Sequence, residues 1–257
     1  MSPAVQVHAV AAGPQDAPVV VLANSLGADL SMWDPQVAAL AERFRVIGFD
    51  TRGHGSSPVP SGPYTIDDLA GDVVALIDRF GVDRAALVGL SLGGTTMMRV
   101  AARHPDRVTS LAVLCTAPSF DAGVYTERAA AIRAAGTTAG VAEGVVSRWF
   151  TDGFRSAHPE RTAAFETMVA GTPAEGYAGC CDALSTLNLD ADLPRISAPT
   201  LVIAGADDVA TPPKRLAEIA DAVPDSRLLV VPGACHLANV EQPEAVTAAL
   251  LEHLESS

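Results

Sequence analysis

The chain has 257 residues, 49% of them apolar and 18% charged, which suits one large or two small globular domains and argues against disorder. A formal net charge of −13 argues against nucleic acid or an anionic membrane surface as a partner, since both demand clustered Lys and Arg. No apolar run reaches bilayer-spanning length, and the opening MSPAVQVHAV lacks a basic region followed by an apolar core, so a cytoplasmic protein is expected.

Along the chain, short β-branched runs predict strands at residues 5–10, 19–23 and 45–49. An amphipathic pattern predicts a helix over 66–80, followed by a strand at 86–88, a helix at 92–103 and a strand at 111–114. After a gap come a strand at 201–204, a helix at 214–222, a strand at 228–231 and a helix at 243–254. Pro213 and Pro243 stand where a first helical turn accepts proline. Most of the strands are continuous apolar runs, as in a parallel sheet buried on both faces, so the fold class is α/β with a doubly wound, mostly parallel sheet. The gap, residues 118–192, has Ala, Gly, Glu and Arg at helical spacing and no convincing strand. It is expected to form a helical cap on a core made of residues 1–117 and 193–257.

The four cysteines, Cys115, Cys180, Cys181 and Cys235, have no metal-ligand spacing and are too sparse for a disulfide framework. They are expected to be buried thiols, and no metal site is predicted.

GLSLGG, residues 89–94, has the G-x-S-x-G pattern between an apolar strand and a helix, the context that gives this motif its meaning. There Ser91 would sit on a strained turn with its hydroxyl projecting, and the following helix would aim its first amides at developing negative charge. A serine hydroxyl needs a base, and that base needs an orienting carboxylate, in the chain order Ser, acid, His. His104 ends the nucleophile helix, His158 lies in the cap, and His253 is on a polar C-terminal helix. His236 follows the last strand and is the expected base. LVIAGADDVATPP offers Asp207 and Asp208 as the acid, and their positions alone do not separate them. DTRGHGSS, residues 50–57, reads as a structural Gly-rich loop, because His54 precedes the nucleophile.

GLSLGG, DTRGHGSS, GADDVATPP and CHLANVEQP together resemble the α/β-hydrolase superfamily, over nearly the whole chain. The resemblance places the acid three residues after the strand-ending Gly205, at Asp208. It also implies an oxyanion hole made by the N–H groups of Leu26 and Leu92, with Asn24 and Ser25 shaping the turn before Leu26. NSLGADLSMWDPQ, RFRVIGFDTRGHGSS, SGPYTIDDLAGDV, RWF and EGYAGCCDAL look more specifically like 3-oxoadipate enol-lactone hydrolases of bacterial aromatic catabolism. That family needs no cofactor and takes a small anionic lactone. Val209 departs from the proline found in many relatives.

The resemblance implies Ser91, Asp208 and His236 as catalytic residues. Arg148 is the candidate for the substrate carboxylate, with Trp149 beside it and Ser25 as a further substrate contact. A carboxylesterase or perhydrolase, a carbon–carbon bond hydrolase and, outside enzymes, a ligand receptor on the same fold are the alternatives.

Overall fold

The computed structural model describes residues 3–256. Its seven strands are β1 (Ala9–Ala12), β2 (Val19–Ala23), β3 (Arg45–Phe49), β4 (Ala85–Leu90), β5 (Val108–Leu114), β6 (Thr200–Gly205) and β7 (Ser226–Val231). They form one sheet in the order β1-β3-β2-β4-β5-β6-β7, in which only β1 runs antiparallel to its neighbour. The interior strands β4 and β6 are buried along their whole length, which explains the apolar runs AALVGL and, after Thr200, LVIAG. The edge strand β7 leaves Leu228 and Val230 exposed.

Helices α1 (Asp34–Leu40), α2 (Ile66–Arg79), α3 (Leu92–Arg103), α9 (Pro213–Ala222), α10 (Ala238–Glu241) and α11 (Pro243–Glu255) accompany the sheet. α2 opens on a reciprocal capping box, with the Thr65 side chain on the Asp68 N–H and the Asp68 carboxylate on the Thr65 N–H. Between β5 and β6 lie α4 (Ala122–Ala135), α5 (Ala139–Val146), α6 (Asp152–Ala157), α7 (Pro159–Gly171) and α8 (Ala174–Ser185). α4 packs on α8 and α5 on α7, and this layer meets the loops after β2 and β3 through Tyr177 and Gly176.

The first strand and His253 depart from expectation. The first strand is Ala9–Ala12, later than 5–10, because upstream amides leave the ladder for side chains: Val5 N–H donates to Asp72 Oδ1 and His8 N–H to Ser57 Oγ, both at 2.8 Å. His253, expected on a polar helix, is buried with its Nε2 2.9 Å from the Leu111 carbonyl, so α11 buries one face on the sheet.

β3 leads through α2 to β4 on the far side of β2, so the strand order reverses around β2. The ends of β2 and β4 are therefore adjacent at a switch point, where open α/β sheets offer a crevice.

Candidate active site

Ser91 lies between β4 and α3 with φ 56° and ψ −114°, a conformation disfavoured for a residue with a Cβ. Neighbouring contacts hold it there: Ser91 N–H donates to the Leu114 carbonyl at 2.9 Å, and Gly93 N–H to the Asn24 carbonyl at 2.9 Å. Position 93 must be glycine, since a Cβ would stand 2.3 Å from the Ala23 carbonyl oxygen. The elbow is thus clamped against the end of β2.

Asp208 and His236 come from the loops after β6 and β7. His236 Nδ1 is 2.8 Å from Asp208 Oδ2, and both residues are buried. Asp208 Oδ1 accepts from the N–H groups of Ala210 (2.8 Å) and Thr211 (3.0 Å), while Oδ2 also accepts from the Thr211 hydroxyl at 2.6 Å. Burial alone would raise the Asp208 pKa. The neighbouring His236 and the Thr211 bonds outweigh it and leave the carboxyl below its ordinary range. An ionised Asp208 accepts only, so Nδ1 of His236 carries the proton and Nε2 keeps its lone pair. Asp207, by contrast, is exposed, and its backbone carbonyl accepts from Cys235 Sγ at 3.2 Å.

Ser91 and His236 line one cavity of about 300 Å³. Its walls include Ser25 and Leu26 after β2, Tyr125 and Arg128 of α4, Arg148 and Trp149 after α5, and Tyr177 of α8. Among the described residues, the N–H groups of Leu26 and Leu92 donate to no protein acceptor. All the sequence-predicted site residues except Leu92 line the cavity or, for Asp208, hold a residue that does. Leu92 is next to Ser91 at the start of α3.

The two arginines differ. Arg148 is exposed, whereas Arg128 is half-buried with its guanidinium 5.1 Å above the Tyr125 ring. Among the described residues neither forms an ion pair. Sequence reasoning missed Arg128 and Thr211. Thr211 was findable, because it stands three residues after the acid, where a hydroxyl can bond back to an Asp. Arg128 is one of several arginines between β5 and β6, and its inward direction depends on how α4 packs on α8.

A family model described as alpha/beta hydrolase fold matches residues 18–243. The chain belongs to the α/β-hydrolase family. This α/β hydrolase is 40% identical to 3-oxoadipate enol-lactonase 2 of Acinetobacter baylyi, over 93% of this chain and 89% of that protein. The crystal structure of the enol-lactonase from Burkholderia xenovorans LB400 superposes with a TM-score of 0.94 at 40% identity, covering 97% of this chain and 96% of that one. A RutD protein of Caulobacter sp. strain K31, to which carbamate hydrolysis is provisionally ascribed, is 33% identical over 96% of this chain and 94% of its own.

Proposed function

We propose that this α/β hydrolase opens the lactone ring of 3-oxoadipate enol-lactone to give 3-oxoadipate, in the β-ketoadipate route of aromatic catabolism. The observation that carries the substrate class is a pair of arginines, Arg128 and Arg148, that form no ion pair among the described residues and lie on the same cavity as Ser91 and His236. In a chain of net charge −13 they are local cations facing the space an acyl substrate would fill. Screening beyond about 8 Å at physiological salt lets such local charges decide anion binding. The similarity to enol-lactonases supports the choice of lactone.

His236 Nε2 takes the Ser91 proton while Asp208 holds the imidazole in the Nδ1–H tautomer and stabilises its cation. Ser91 Oγ attacks the lactone carbonyl, and the amides of Leu26 and Leu92 hold the resulting oxyanion. When the ring C–O bond breaks, the enolate oxygen leaves and takes the proton from His236; the enol then tautomerises to the ketone. His236 next deprotonates water, which attacks the acyl-serine carbonyl, and Ser91 recovers its proton as the acid departs. The net change is lactone plus water to 3-oxoadipate, with no cofactor. Arg128 holds the substrate carboxylate within the cavity and Arg148 attracts it at the mouth, while Trp149 and Ser25 complete the walls. The five helices between β5 and β6 act as the cap.

The test is hydrolysis of the enol-lactone, measured beside a neutral p-nitrophenyl ester and a carbamate. Preferential turnover of the lactone supports the reading. Preference for the carbamate favours the second reading, which rests on the RutD relative.

A further inference from the structure

Residues 50–57 take no part in the chemistry above, yet two of their side chains grip the turn after β2. Asp50 Oδ1 accepts from Leu30 N–H at 2.8 Å, and His54 Nε2 accepts from Gly27 N–H at 2.9 Å. His54 is fully buried, with its Nδ1 3.3 Å from the Arg52 carbonyl oxygen. Since the carbonyl can only accept, Nδ1 carries the proton and Nε2 is free to receive the Gly27 amide. The loop beneath it is tied to α2 by an ion pair. Arg52 meets Asp72 of α2 through two bonds, Nε to Oδ2 at 2.6 Å and a terminal nitrogen to Oδ1 at 2.7 Å.

Gly27 has φ +86° and directly follows Leu26. Its amide is committed to His54, whereas the preceding amide, that of Leu26, has no protein acceptor among the described residues and lies at the cavity wall. A ring that merely filled space would need no acceptor atom at this place. The His54 ring also stacks on Tyr177, with centroids 6.5 Å apart, and so joins the turn to a cap residue of the cavity.

We infer that His54 is the positioning residue of the oxyanion turn: as a neutral Nδ1–H imidazole it accepts the Gly27 amide and thereby aims the Leu26 amide at the reacting carbonyl. This rests on the roles given to Ser91 and Leu26 under Proposed function. Burial keeps the ring neutral, pushing its pKa down to about 4 against the opposing pull of the Arg52 carbonyl and of Asp50 and Asp29. Protonation would turn Nε2 from acceptor into donor and set it against the Gly27 N–H.

The experiment uses the full chain with p-nitrophenyl acetate, so that it does not depend on the lactone. His54→Leu removes the acceptor, and His54→Gln returns one near the Nε2 position. His54→Leu is expected to lose roughly 10–100-fold in kcat with little change in KM, short of the ~10²–10³-fold cost of deleting an oxyanion donor outright. Its affinity for a trifluoromethyl ketone, which forms a tetrahedral oxyanion on serine, should fall by a similar factor, and His54→Gln should recover most of both. Wild-type kcat in His54→Leu, or a kcat loss with ketone affinity intact, would overturn the inference. If His54→Leu does not fold, nitrogen-15 NMR of the wild type decides. An unprotonated Nε2 and a protonated Nδ1 on His54 at neutral pH are expected, and a protonated Nε2 overturns the role. Absence of ester turnover by the wild type would instead strike the hydrolase reading beneath it.

Discussion

The Thr211 hydroxyl donates to Asp208 Oδ2 at 2.6 Å, the same oxygen that receives His236 Nδ1–H at 2.8 Å. One carboxylate oxygen thus anchors the imidazole and is itself anchored three residues along its own loop. Thr211→Val keeps the shape and deletes the donor. A net hydrogen bond of about 1 kcal/mol predicts a several-fold to tenfold fall in kcat with KM little changed. With one stabilising bond gone, the Asp208 pKa should rise towards its ordinary range. The check is steady-state kinetics on p-nitrophenyl acetate; an unchanged kcat would contradict the anchoring role of Thr211.

Arg128 and Arg148 predict a split between substrates. Arg128→Ala should raise KM for the anionic lactone by roughly tenfold or more, as expected for a partly buried charge-assisted contact. Arg148→Ala, at the exposed mouth, should raise it only a few-fold. Both should spare the neutral ester, and steady-state kinetics on the two substrates would show whether they do. Equal effects on both substrates would remove the arginines from carboxylate binding.

Glu241 joins the cap to the histidine loop. Its Oε1 accepts from the Thr151 N–H at 3.0 Å and from the Thr151 hydroxyl, and its Oε2 from the Cys235 N–H at 2.8 Å. Leu237 N–H also donates to the Trp149 carbonyl at 3.0 Å, so both neighbours of His236 are tied to cap connections or their anchor. Glu241 is buried, and Glu241→Ala strands the Cys235 N–H and two donors of half-buried Thr151, which should cost about 3 kcal/mol. For a chain of this size that lowers Tm by roughly 6–12 °C. Thermal unfolding followed by circular dichroism would measure it, and an unchanged Tm would contradict the bracing role.

Buried histidines predict acid sensitivity. His54 has a folded pKa of about 4 against 6.5 for a free histidine. Between these values the unfolded chain binds the proton and the folded chain does not. Its contribution is therefore complete above pH 6.5 and declines as pH falls towards 4, by roughly 3 kcal/mol in all. His253 is shifted in the same direction, chiefly by burial. Urea unfolding at pH 7.5 and 4.5 should show a smaller acid loss in His54→Gln than in the wild type. Identical losses would contradict the shift assigned to His54.

The sheet was legible because its interior strands are buried on both faces, which favours the apolar runs VVVLA, AALVGL and LVIAG. Strand ends were less so. β5 starts at Val108, three residues before the apolar run, because Val108 already pairs with Ala85 and the register then shifts before Leu111 pairs with Leu87. The elbow was visible as glycines around a serine, but the choice between Asp207 and Asp208 needed a family resemblance. Three-dimensionally the two differ sharply: only the Asp208 carboxylate meets His236 and Thr211. The grip of His54 on Gly27 spans 27 residues and depends on β2 and β3 lying side by side, which no local pattern encodes.

If Ser91 attacks the enol-lactone carbonyl, an acyl-serine forms in every turnover. The most direct measurement is a single-turnover assay of wild type and Ser91→Ala on 3-oxoadipate enol-lactone, with mass spectrometry of the quenched protein. The wild type should release 3-oxoadipate and show a transient adduct of the lactone's mass on the peptide containing Ser91, while Ser91→Ala should lose at least ~10³-fold in rate and show no adduct. Full turnover by Ser91→Ala, or wild-type inactivity on the lactone alongside good activity on other esters, would contradict the account.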